Sequence, residues 1–407
     1  MNPHTDGDDD KGSSLDKARQ SSRLAVILAL MCAAVILCGV IFAIAAASAK
    51  AVSPDRRLVF TPETFSAPVE IPRSAGDGPP AVSLDDDSLN FWSDYPADIL
   101  ADALIARMTD EEICAQVLMF GWAGAEPSDL LNYWVLDRGL GNVKIFGWNT
   151  DDTTLVARAV NSLQQKAQSG RFKIPLFVAT DQEGGWIRHV KGNTTITPGN
   201  MAIGASGYPV DAWMSGYYIA RELRALGINM NFAPTVDLYT NFDSSVIGPR
   251  SFGDNADFAG ILGSSFAAGC LAAGVLPTAK HFPGHGDTGI DSHGNLPIID
   301  IDAATLYSRE LVPFKYLIAE KIPAIMSAHL SFPRIEPLGA PSSLSKKILT
   351  DMLRGDLGFE GLIITDDIMM NGAAVYAGSV SAAGLPNGKS SSAALTRQKA
   401  IFPRWAR

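Results

Sequence analysis

Val275-Leu276-Pro277-Thr278-Ala279-Lys280-His281-Phe282-Pro283-Gly284-His285-Gly286-Asp287-Thr288-Gly289-Ile290-Asp291-Ser292-His293 opens as an apolar run and then changes character. Val275–Ala279 has the length and composition of a buried strand in a parallel sheet. The next fourteen residues, Lys280 to His293, hold three of the six histidines, two acids, one lysine, three glycines and a proline. As a helix this segment would carry a heavy Gly and Pro penalty, whereas a loop of it could aim polar side chains into a cleft. Imidazole titrates nearest neutral pH, so proton transfer and metal binding are the two jobs such a loop suggests. The competing reading is a polar surface loop with no chemistry.

The same alternation extends in both directions. Strand-like runs fall at Val117–Phe120, Asn142–Phe146, Ile174–Thr180, Ile228–Phe232, Val275–Ala279, Ile322–Ser327 and Gly361–Thr365. Helical spacing fills the gaps at Thr154–Ala167, Ala212–Ala225, Asp257–Ala273, Ala303–Ala319 and Ser345–Leu353, and Thr109 or Asp110 is placed to cap a helix entered by Glu111 and Glu112. Polar residues sit just past the strands: Asp181, Asp237, Lys280-His281 (directly following the fifth), His329 and Asp366-Asp367. Strands ending repeatedly in such groups fit a (β/α)8 TIM-type barrel, whose site forms at the C-terminal strand ends. A doubly wound sheet is the structural rival. It calls for a glycine-rich phosphate loop after the first strand, and Phe120-Gly121-Trp122-Ala123-Gly124 matches that poorly.

The 407 residues carry a net charge of −10 and a pI near 5.1, which excludes a general nucleic-acid binder. Cys32 and Cys38 lie in an apolar segment, and Cys114 and Cys270 read as buried small hydrophobes without a disulfide. Leu24–Ala49 has no charged residue and would form a helix of about 39 Å, enough to cross a bilayer. Lys17, Arg19 and Arg23 precede it, so residues 23–49 read as a transmembrane signal anchor with an exported remainder. Ala47-Ser48-Ala49 is the alternative, a cleavage site that would release the protein. Residues 1–22 read as a disordered cytoplasmic tail, 50–90 as a Pro-rich linker, 91–377 as the barrel domain and 378–407 as an atypical tail.

Lys280-His281-Phe282-Pro283-Gly284-His285-Gly286-Asp287-Thr288 closely resembles the signature of family 3 glycoside hydrolases. Asp291-Ser292-His293 resembles the Asp-x-His dyad of the β-N-acetylglucosaminidase branch. Asp181-Gln182-Glu183-Gly184-Gly185, Gly248-Pro249-Arg250-Ser251-Phe252-Gly253 and Ile363-Ile364-Thr365-Asp366-Asp367 agree, in order, between roughly Leu104 and Ala374. The resemblance implies a cofactor-free retaining mechanism on a carbohydrate substrate, with Asp366 as nucleophile and His293, oriented by Asp291, as general acid/base. It further implies that Asp181 accepts from sugar hydroxyls, that Lys280, His281 and Arg250 donate to the sugar, and that Glu183, His285 and Asp287 are loop scaffolding. Each assignment has a rival. Asp181 could cap the next helix, Arg250 could pair with Asp254, and His293 could be a satisfied structural histidine. Metal is disfavoured because the spacing matches neither His-Glu-x-x-His nor a Cys/His knuckle.

Two departures stand out. The branch carries arginines after Gly185, whereas Trp186-Ile187-Arg188-His189 stands here, which weakens any expectation of binding a muramic-acid carboxylate. Beyond Ala374 the family supplies an eighth strand, and none is evident in Gly378–Arg407. A truncated or frame-shifted tail is therefore expected, leaving sheet edges exposed. The function expected is release of terminal β-linked N-acetylglucosamine from peptidoglycan or chitin fragments. The alternatives are a family 3 β-glucosidase or β-xylosidase, or an inactive glycan-binding remnant.

Overall fold

The computed structural model describes residues 84, 86–244, 246–288, 296–370 and 372–373. The chain divides between Asp77 and Gly78, and every described residue lies on the C-terminal side of that boundary. Seven strands, β1 (Met119–Phe120), β2 (Asn142–Ile145), β3 (Phe177–Thr180), β6 (Met230–Asn231), β7 (Leu276–Phe282), β8 (Ala324–Ser327) and β9 (Leu362–Thr365), form one sheet. Between β3 and β6 the chain makes a small antiparallel hairpin of β4 (Gln182–Gly184) and β5 (Ile187–Arg188). Every pairing in the large sheet is parallel and follows chain order without reversal. Crossovers of one hand in unbroken order put their helices on one face and curl the sheet, whereas a doubly wound sheet reverses its order midway.

The packing agrees with a curled sheet. Val143, Ile145, Val178, Ala279, Ile325 and Ile363 pack outward against the helices. Their strand neighbours Met119, Phe177, Ala179, Met230, Leu276, Met326, Leu362 and Ile364 gather in a separate inner cluster. Alternate strand residues face opposite sides, so each strand feeds both cores. Met119 and Ile364 belong to the two edge strands, and both pack onto this same inner core.

The helices form where apolar spacing and caps coincide. Thr153–Ser169 is capped by Asp152 and buries Val156, Ala159, Val160, Leu163 and Ala167, a single stripe at helical spacing. Thr109 caps Asp110–Val117 in a reciprocal box with Glu112, as its sequence suggests. Pro209–Ala225 and Ala256–Ala272 approach closely through small residues: an ideal Cβ on Gly269 would lie 2.1 Å from the Trp213 carbonyl oxygen.

The seven expected strands and the expected helices are present with shifted bounds, but Ser345–Leu353 forms as a wide-turn helix over Lys347–Asp356. Ala97–Ile105, Asp129–Leu136 and Asn200–Ser206 are further helices, each of nine residues or fewer. The expected helix Ala303–Ala319 is interrupted by a wide turn at Leu306–Glu310, where the Leu311 amide bonds back to the Leu306 carbonyl. Leu84 and Leu89 pack with Leu100, Leu104 and Phe172, so packing begins a few residues before Phe91. Cys270 is a buried free thiol as expected, but Cys114 is exposed. Among the described residues no helix is long and apolar enough to cross a membrane, and residues 23–49 and 378–407 lie outside them.

Candidate active site

Asp181 leaves the end of β3, and two residues later Glu183 points to the same side of the extended chain. Gly184 and Gly185, both at positive φ, then turn the hairpin back, with Trp186 exposed at its tip. Lys280 sits within β7, 2 % exposed, with Nζ 2.6 Å from Asp181 Oδ1 and 2.7 Å from Glu183 Oε1. Lys144, on β2, reaches Asp181 Oδ2 at 2.8 Å. Arg250 grips Glu183 bidentately, Nε to Oε2 at 3.0 Å and Nη2 to Oε1 at 2.7 Å.

These cations set the protonation of the acids. Burial pushes both carboxyls up, yet Lys280 and Lys144 hold Asp181 well below the carboxylate range. Arg250 and Lys280 likewise bring Glu183 down to about 2. Burial pulls the Lys280 ammonium down, but Asp181 and Glu183 raise it above its ordinary value. Asp181, Glu183 and Lys280 are therefore ionised.

Asp237, fully buried after β6, organises the histidine-rich segment. Its Oδ2 accepts from His281 Nδ1 at 2.6 Å, its Oδ1 accepts from the His285 amide at 2.7 Å, and the His281 amide also donates to it. Burial raises this carboxyl, but His281 and these donors leave it below its usual value. Arg250 Nη2 lies 3.3 Å from His281 Nε2. Gly286 lets the loop dock, since a Cβ there would overlap the Leu238 carbonyl. The Thr288 hydroxyl donates to the His285 carbonyl and accepts from His285 Nδ1 at 2.8 Å. Burial lowers the His285 ring to about 4.

Asp366 follows β9 directly and is half-buried. Its amide donates to the Ser327 carbonyl at 2.9 Å, and its Oδ1 accepts from the Asp367 amide at 2.8 Å. Burial raises the carboxyl, but His281, the Asp367 amide and Lys280 together bring it below the ordinary range. An ionised, partly open carboxylate thus stands at the strand ends beside the buried Lys280 and His281.

Asp366, Asp181, Arg250, Lys280 and His281 are brought together from β9, β3, the turn Gly248–Arg250 and β7. Asp291 and His293 lie outside the described residues. Several readings change. Lys280 and His281 lie inside the fifth strand of the sheet rather than after it, because β7 continues to Phe282. Arg250 pairs with Glu183, not Asp254, and Asp181 meets two lysines instead of capping a helix. Glu183 and Asp287 do brace their surroundings, Asp287 through Arg309 at 3.3 Å.

Lys144, His189 and Asp237 escaped the sequence reading as site residues. His189 Nδ1 lies 3.5 Å from Asp181 Oδ2, and burial lowers its ring. A lysine within an apolar strand and an acid past a strand end were the available signals. Among the described residues no cluster of three or more His, Cys, Asp or Glu is arranged to hold a metal.

The family model described as glycosyl hydrolase family 3 N terminal domain matches residues 108–386. The chain belongs to glycosyl hydrolase family 3. Within that family it is 39 % identical over 249 residues to beta-hexosaminidase A of Pseudoalteromonas piscicida, covering 57 % of this chain and 42 % of that protein. To the beta-hexosaminidase of Tolumonas auensis it is 37 % identical, covering 59 % of this chain and 70 % of the relative. The solved family 3 beta-N-acetylglucosaminidase of Paenibacillus sp. superposes with a TM-score of 0.64 at 40 % identity, covering 66 % of this chain and 51 % of that one. The chain thus spans about half the length of the first family 3 relatives it matches.

Proposed function

We propose that this chain is a retaining exo-glycosidase that releases terminal β-linked N-acetylglucosamine, with Asp366 as nucleophile, His293 as general acid/base and Asp291 orienting that imidazole. The observation that carries the reading is the meeting of a half-buried, ionised Asp366 with Lys280 and His281 at the C-terminal ends of one curled sheet. Asp366 attacks the anomeric carbon while His293 protonates the departing oxygen, giving a glycosyl-enzyme ester. His293 then takes a proton from the water that cleaves the ester. Asp181 retains lone pairs beyond its two lysine contacts and accepts from ring hydroxyls, and Lys280, His281 and Arg250 serve the same ring. The names of the relatives and the solved neighbour support the acetamido sugar.

The same reading takes the seven strands in chain order as most of a (β/α)8 barrel. It also takes the uncharged run Leu24–Ala49 as a membrane anchor holding the catalytic domain outside the cytoplasm.

The test compares nitrophenyl N-acetylglucosaminide with nitrophenyl glucoside and then traps the enzyme with a fluorinated sugar. Hydrolysis of the acetamido compound and a label on the Asp366 peptide are expected. Preference for the glucoside, or a label on another residue, sinks the assignment.

A further inference from the structure

Trp148 is held firmly and yet left 61 % exposed. Its ring stacks on Phe146 at 4.4 Å between centroids and 11° between planes. Its indole N–H donates to the Trp122 carbonyl at 2.9 Å. The turn that carries it, Gly147–Asn149, is pinned by the Asn149 side chain, which accepts from the Phe146 amide at 2.9 Å and donates to the Trp122 carbonyl at 3.0 Å. One indole face is covered by Phe146, so the exposed area is largely the other face. A large aromatic residue fixed in this way, but not buried, contributes little to the core and keeps a flat apolar surface open.

Its place is specific. Phe146 follows β2, and Lys144 Nζ lies 4.5 Å from the Phe146 ring centre while holding Asp181 at 2.8 Å. The His189 ring, beside Asp181, lies 6.2 Å from that of Phe146. The platform therefore continues outward from the charged pocket at the rim of the strand ends.

The geometry points to Trp148 as the floor of a second sugar subsite, which stacks against the apolar C–H face of the pyranose ring next to the terminal one. The inference rests on the glycosidase reading above and adds a preference for oligomers over single-sugar glycosides. A sugar ring bound to Asp181 and Lys280 has its neighbour at the rim, where a flat apolar face is complementary to it.

The test uses the full chain with Trp148→Ala and Trp148→Phe, assayed on the methyl β-glycoside of N-acetylglucosamine and on its β-linked trimer. Trp148→Ala is expected to raise KM for the trimer about fivefold to tenfold. It should leave both trimer kcat and the methyl glycoside unchanged, which also certifies the fold, and Trp148→Phe should recover most of the loss. Equal effects on both substrates, or none on the trimer, would overturn the subsite. Failure of the wild type to hydrolyse either compound would instead refute the glycosidase reading. Calorimetric titration with the trimer then decides the subsite alone: weaker binding by Trp148→Ala supports it, and unchanged binding overturns it.

Discussion

Asp366 and Asp237 are both carboxylates at strand ends, but their surroundings give them opposite vulnerabilities. The Asp366 side chain accepts one local amide and is half open, so Asp366→Ala removes little packing. Its turnover should fall by about four orders of magnitude or more, with no more than a small drop in melting temperature at neutral pH. Asp237 is buried and accepts from the His281 ring, the His281 amide and the His285 amide. In Asp237→Asn an amide N–H faces one of those donors, leaving buried polar groups unsatisfied. A loss of about 3–5 kcal/mol in denaturant unfolding, together with lower activity, is expected. An Asp237→Asn enzyme as stable as wild type would remove Asp237 from the centre of this network.

At the scale of elements, close helix packing and an irregular turn do work that periodicity cannot foretell. Pro209–Ala225 meets Ala256–Ala272 almost backbone to backbone, with Gly216 facing the Phe266 carbonyl and Gly269 facing that of Trp213. Gly269→Ala forces the helices apart and should cost about 1–3 kcal/mol, read as a drop of several degrees in the melt. A melt as high as wild type would mean that the helices separate freely. The wide turn Leu306–Glu310 swings Arg309 and Glu310 toward the histidine loop: Arg309 reaches Asp287 at 3.3 Å, and Glu310 lies beneath Gly284. Spacing alone read Ala303–Ala319 as one helix because a single wider turn barely disturbs the apolar pattern.

Across the whole molecule, ionisation couples stability to pH in two directions. Glu183 is depressed to about 2, and Asp181, Asp237 and Asp366 are also depressed, so their contribution is present above the ordinary carboxylate range. It is lost as pH falls through the folded values. Glu310 behaves oppositely: burial, chiefly, raises its carboxyl from 4.5 to about 7, despite Arg309. The protonated form then favours the fold below 4.5, and that stabilisation disappears as pH rises through 7. Glu310→Gln should therefore flatten the neutral limb of a melt-versus-pH curve and add about 3 kcal/mol at pH 8. A limb that keeps its slope in the variant would assign it to another group.

The sequence alone determined the alternation of strands and helices and the residues at the strand ends. Both follow from local apolar spacing, and the motifs around Asp181, Arg250, Lys280 and Asp366 are contiguous. Tertiary structure decided which charges meet. Lys144, His189 and Asp237 join the site only because β2, the hairpin and β6 are laid side by side, and Arg250 finds Glu183, 67 residues away, instead of nearby Asp254. Sequence spacing carries information along the chain, whereas a buried ion pair is selected by the low-dielectric space in which strand ends converge.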